Sequence, residues 1–169
     1  ESARTRMEVC KALQHIIEGC RTIDWIRAEK SPWIATPLHR ELIYGTTRHY
    51  LSLQQSVTEL LKKPMRDKDR DLFNLLIVGA YQLKYTGIAS YAVINESVNA
   101  CIVLGKPWAK GLVNAVLRQL QRAAEAAQQD QPQDEYSALA SAAADHPPWL
   151  KEKLEAQYPA KWQALVIAN

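Results

Sequence analysis

Cationic side chains gather at two places in the sequence, and both suit contacts with phosphate. Arg4 and Arg6 open the chain within Ala3-Arg4-Thr5-Arg6, while Lys106, Lys110, Arg118 and Arg122 cluster further on. Lys110, Arg118 and Arg122 recur at steps of eight and four, so one helical face carries all three. Glu96 is the only acid between Lys84 and Arg122. A guanidinium forks onto phosphate oxygens or lies flat on an unpaired base, and Trp108 offers an aromatic face for stacking. The competing reading is a solvated helix face with Trp108 as a core anchor, because Lys and Arg cover most helical surfaces.

Other chemistry finds no support in the spacing. His15, His39, His49 and His146 do not make an HExxH pattern, and Arg48-His49 lies among apolar helical positions. Asp67, Asp69 and Asp71 alternate with Lys68 and Arg70 and lack the loop glycine and distal Glu of a calcium site, so they read as a charged helix start. Neither GxGxxG nor GxxxxGK[ST] occurs. Cys10, Cys20 and Cys101 match no CxxC metal pattern or disulfide framework, and no neighbour in sequence lowers their pKa. They fall where helical stripes place core residues, which suits a reduced, cytoplasmic setting. By itself the chain is expected to catalyse nothing and to hold no metal.

Composition narrows the partners. The 169 residues are 47% hydrophobic and 23% charged, as in an ordinary globular domain, and the net charge is +3. That mild total hides an asymmetry. Residues 1–122 carry 18 basic and 11 acidic side chains, a net of +7, whereas the remainder is at −4. A basic body with an acidic tail favours a polyanion surface on the body. The longest uncharged apolar run, Leu75 to Tyr81, is far short of the roughly 20 residues a membrane helix needs, so no membrane partner is expected. The sequence opens at Glu1 without a methionine or a basic-then-apolar signal, which reads as a piece trimmed from a longer chain.

Helical spacing recurs throughout, and no segment alternates long enough for a strand. Met7, Cys10, Leu13, Ile17 and Cys20 stripe a first helix over 2–18, and a short helix follows over 22–28. A loop carries Ser31-Pro32, and then Thr36 as N-cap with Pro37 at the first position starts a long helix. That helix continues or restarts through Leu53 and Val57 until Lys63-Pro64. The Asp67–Asp71 segment begins the next helix, whose Leu75-Leu76-Ile77-Val78 run is apolar nearly all round and therefore central. Ser90 is expected to cap a helix with Ile94, Val98, Cys101 and Ile102 inward, closed by Gly105. A last body helix over 108–128 turns Leu112, Val113, Val116, Leu117 and Leu120 to the core. Polar residues 128–134 read as a linker, followed by an alanine-rich helix over 135–144 and a tail with Trp149, Leu154, Tyr158 and Trp162.

Four motifs together resemble the NusB fold family, an all-α RNA-binding module known from transcription antitermination. They are Ala3-Arg4-Thr5-Arg6, the Leu76 to Leu83 segment LIVGAYQL, the Ile94 to Val98 segment INESV, and the Lys110 to Arg118 segment KGLVNAVLR. Free NusB reads closer to FVNGVLD at the last of these, so Arg118 stands where an acid would be. Two further features are Arg40-Glu41-Leu42 with Tyr44-Gly45 and Arg48, and His146-Pro147-Pro148-Trp149-Leu150 with Tyr158-Pro159 and Trp162. They are similar to the NusB-like domains joined to bacterial 16S rRNA cytosine-C5 methyltransferases of the RsmB (Sun/Fmu) family.

The resemblance implies an all-α, NusB-like helical bundle over 2–128 that binds RNA. Residues 129–169 would be a linker and short helices leading to a C-terminal methyltransferase domain. The implied partners are 16S rRNA and that domain, which in the family binds S-adenosylmethionine and carries two cysteines. One attacks C6 of the cytosine so that C5 becomes nucleophilic enough to take the methyl group. Neither cysteine motif nor the cofactor loop occurs before Asn169, so Cys10, Cys20 and Cys101 do not inherit those roles and no cofactor is expected within these residues. By position, Arg4 and Arg6 lead the implied RNA contacts, with Lys106, Lys110, Arg118 and Arg122 behind them. The alternatives are a stand-alone antitermination factor acting with a ribosomal protein, against which the HPPWL tail speaks, and a module that only braces a catalytic domain.

Overall fold

A computed structural model describes residues 2–19, 21–28, 36–129, 140 and 142–168. Among these the regular structure is entirely helical. Helix α1 is Ser2–Ile17, α2 Ile23–Ala28, α3 Pro37–Arg48, α4 Tyr50–Leu60, α5 Arg70–Tyr85, α6 Ser90–Val103 and α7 Lys110–Gln129, with tail helices α8 Pro148–Gln157 and α9 Trp162–Ile167. Short 3-10 turns at Asp67–Asp69 and Pro107–Ala109 lead into α5 and α7.

Helix α5 is the axis of the bundle. Every residue from Leu72 to Gln82 is buried, and α1, α3, α4, α6 and α7 all pack against it. A helix enclosed on all sides must be apolar nearly all round, as the sequence anticipated. Two glycines let neighbours approach. A Cβ on Gly45 of α3 would collide with the Tyr81 ring, which crosses there so that its hydroxyl donates to Glu41 Oε1 at 2.6 Å. Burial and the Glu41 carboxylate push the Tyr81 hydroxyl pKa up to about 12. A Cβ on Gly79 would stand 2.6 Å from Leu117 Cδ2 of α7.

The helix boundaries follow local chemistry. Thr36 caps α3 as expected, its hydroxyl accepting from the His39 amide, with Pro37 at the first position. The chain restarts at His49 rather than running on, and α4 begins at Tyr50. Gly105, at φ 72°, takes the left-handed conformation after α6, which glycine adopts without strain.

Two expectations for α6 are corrected. Ser90 lies inside the helix and makes no capping bond; Ala89 is the N-cap, and its carbonyl accepts from the Ala92 and Val93 amides. Ile102 is 53% exposed instead of inward. The buried stripe is Val93, Ile94, Ser97, Ala100 and Cys101, and one more residue turns the helix about 100° away from it. The expected loop at Ser31-Pro32, Cys20 and most of the 128–139 region lie outside the described residues.

The tail folds back on the body. His49 Nδ1 lies 2.5 Å from Asp145 Oδ2, Ser52 Oγ donates to the other carboxylate oxygen, and His49 stacks on Tyr85 with centroids 4.1 Å apart. Val166 of α9 is buried. No helix among the described residues is long and apolar enough to cross a membrane.

Candidate nucleic-acid interface

The cationic row on α7 is built by the core beneath it. Val113, Val116 and Leu117 are buried, and the absence of a side chain at Gly79 lets Leu117 sink against α5. With that stripe fixed inward, Arg118 and Arg122 project to solvent and Lys110 is half-buried at the helix start. From Lys110 to Arg122 the helix rises about 18 Å at 1.5 Å per residue.

Arg118 is also one wall of a cleft between α6 and α7. Its Nε donates to Asn114 Oδ1 at 3.3 Å, within the same helix. Tyr91, Asn95 and Val98 of α6 face Asn114, Arg118 and Gln121 of α7 across a space of about 250 Å³, with Ile94 on the floor. Each helix contributes an i, i+4, i+7 stripe, so two ordinary helical faces combine into one mixed surface. Tyr91 is 79% exposed, far more than packing requires. An exposed phenol ring, three carboxamides and a guanidinium in one cleft match what an unpaired nucleotide offers: a base face to stack, polar base edges, and a phosphate. Sequence reasoning found Arg118 but not Tyr91, Asn95, Asn114 or Gln121 as site residues.

The other candidates are sorted by their surroundings. Arg4 is exposed on α1, its Nε 3.3 Å from Glu8 Oε1, and it lines no part of this cleft. Trp108 is 59% exposed, so it is no core anchor, and it borders a different groove.

Arg6 is corrected. It is 2% exposed, Nη2 donates to Gln82 Oε1 at 2.6 Å, and Nη1 donates to Ser2 O at 3.1 Å. Burial pulls its pKa below the ordinary arginine value, against the opposing field of Glu96. With Val9, Cys10 and Leu13 it occupies one i, i+3, i+4, i+7 stripe, and that stripe faces the core. It cannot reach a phosphate on the surface.

Lys106 is corrected for a different reason. Its ammonium donates to Asp71 Oδ1, to Lys68 O at 2.6 Å, and pairs with Asp69 Oδ1 at 3.2 Å, with 17% of the side chain exposed. Burial opposes its charge, yet the hydrogen bonds to Asp71 and Asp69 prevail and hold its pKa above the ordinary lysine value. Its donors are occupied by the turn ahead of α5 and by the first turn of that helix.

The two described cysteines are not poised for attack. Cys10 and Cys101 are buried free thiols, and burial raises the pKa of each. Among the described residues no group of three His, Cys, Asp or Glu side chains could hold a metal ion.

Comparison with known proteins agrees with this architecture. Residues 10–122 match the NusB family model. Ribosomal RNA small subunit methyltransferase B of Serratia proteamaculans is 40% identical over 132 residues, covering 78% of this chain and 29% of that protein. The protein of the same name in Pseudomonas syringae pv. tomato is 36% identical over 167 residues, 97% of this chain and 36% of its own length. A probable ribosomal RNA small subunit methyltransferase B of Coxiella burnetii is 37% identical over 132 residues, with 78% and 30% covered. The chain thus spans about a third of the length of these relatives.

Proposed function

The chain belongs to the NusB family, and from that premise we propose that it is the RNA-holding N-terminal region of a small-subunit rRNA cytosine-C5 methyltransferase. Residues 2–128 serve as the RNA-binding domain and 129–169 as the connection to a catalytic domain. The observation that carries this reading is the α6–α7 cleft, where Tyr91, Asn95, Asn114 and Arg118 converge on solvent beside a cationic row. Its task is positional. Stacking and phosphate contacts hold rRNA in register while the catalytic domain, with S-adenosylmethionine and its own cysteines, modifies the base in the cytoplasm.

In this reading the cofactor belongs to the catalytic domain, and no step of methyl transfer is assigned to this chain.

The test is RNA binding by the isolated chain as salt is varied. A single-stranded rRNA segment should bind at low salt, with log affinity falling linearly against log salt. Absence of binding at low salt would leave only a bracing role. The larger reading has its own check. An antibody against this chain should detect a native protein far larger than 19.1 kDa, whereas a native band at 19.1 kDa would favour a stand-alone antitermination factor.

A further inference from the structure

A second groove lies between the end of α4 and the start of α7, and it has a different chemistry. It encloses about 740 Å³ over a floor of Leu60, Leu61, Met65, Leu112 and Val116. Lys62, Lys63 and Arg66 rim one side and are exposed, while Trp108 stands on the other. The floor residues Leu60, Leu61, Met65 and Leu112 remain only partly covered by the core they pack against.

The two walls are locked together. Asp69 accepts from Arg66 Nε at 3.1 Å and pairs with Lys106 at 3.2 Å, and Lys106 immediately precedes the Pro107–Ala109 turn that presents Trp108. One buried carboxylate thus ties down Arg66 of the cationic rim and, through Lys106, the turn that carries the aromatic wall. A preorganised groove loses little side-chain freedom on binding.

We propose that this groove docks an acidic amphipathic protein segment, with apolar side chains on the floor and carboxylates against Lys62, Lys63 and Arg66. Charge complementarity selects the sign of the partner, and the aliphatic floor selects its class. Methyl-lined surface offers little to sugar or phosphate, and the α7 wall presents Ala115 and Gln119 instead of cations, so a nucleic acid would be neutralised along one edge only. An exposed tryptophan beside an apolar floor is the composition of a binding hot spot. The inference does not rest on the RNA reading, because the two clefts share no residue.

The probe is a 14-residue helical peptide with Leu and Phe on one face and Glu on the other, titrated into the 15N-labelled chain. Saturable amide shifts confined to 60–66 and 107–119 are expected. Affinity should fall about tenfold when Gln replaces every Glu, and by a similar factor in Trp108→Ala or in Lys62→Glu with Lys63→Glu. These positions are exposed, so an unchanged thermal midpoint will confirm that the variants fold. No saturable shift at these residues would overturn the proposal, as would single-stranded RNA shifting them while the peptide does not.

Discussion

Gly79 of α5 and Leu117 of α7 meet so closely that a methyl group on Gly79 would stand 2.6 Å from Leu117 Cδ2. This contact seats α7, and the seat decides which face of the helix carries Arg118 to solvent. Gly79→Ala gains about 1 kcal/mol of helix propensity but meets an overpacking cost of about 1–3 kcal/mol, so a net loss is expected. Gly79→Val should lose more. Adding Leu117→Ala to Gly79→Ala should cost less than the two single changes summed, as urea unfolding of the four proteins will measure.

Arg4 and Arg6, two residues apart in sequence, should behave oppositely. Arg6→Ala leaves a cavity and removes the partner of buried Gln82, for a loss of about 2–4 kcal/mol in denaturant unfolding. Arg4→Ala, on the exposed end of α1, should leave unfolding within about 0.5 kcal/mol of the parent. A matching loss in both variants would contradict the placement of Arg6.

The Lys106–Asp69–Asp71 cluster should stabilise the fold across a wide plateau of pH. Asp69 is held below its ordinary pKa of 3.8: burial opposes the charge, but hydrogen bonds from Lys106 and Arg66 prevail. Its contribution is present above that value and lost as pH falls through the depressed folded pKa. Lys106 is raised above 10.5, so its contribution is present below that value and lost as pH rises through the elevated folded pKa. Lys106→Met should flatten the acid limb of the stability–pH curve, which thermal melts across pH will record.

Tyr81 should titrate later than a free tyrosine, and burial raises Tyr50 in the same direction. The Tyr81 hydroxyl, buried and donating to Glu41, is pushed up to about 12 from 10. Stability it lends is intact below pH 10 and declines as pH rises towards 12. Absorbance at the tyrosinate band should show a late component that Glu41→Gln moves earlier. A step that ignores Glu41→Gln would sever the link.

Much of the fold was legible because helices announce themselves locally. Thr36-Pro37 is a cap and a first-turn proline in adjacent positions, and the Leu75–Val78 run marks a helix with no solvent side. The Ser90 and Ile102 misreadings were local errors of cap position and helix phase, whereas the misread cations share an origin in distance along the chain. Arg6 sits in step with Val9, Cys10 and Leu13, a stripe visible in sequence, but its partner Gln82 is 76 residues away. Lys106 looked free because Asp71, 35 residues earlier, reaches it only in the folded state. The same limit hid the cleft: the stripes through Tyr91–Asn95 and Asn114–Arg118 can each be read, whereas their meeting is a product of α6 packing on α7.

Photocrosslinking would show whether RNA is held in the α6–α7 cleft. A single-stranded rRNA segment carrying 4-thiouridine would be bound to the chain at low salt, irradiated, and the adduct mapped by mass spectrometry. Adducts are expected on Tyr91 and neighbouring cleft residues, lost in Tyr91→Ala and reduced in Arg118→Ala. Adducts confined to residues 60–66 and Trp108, with none at the cleft, would contradict that placement.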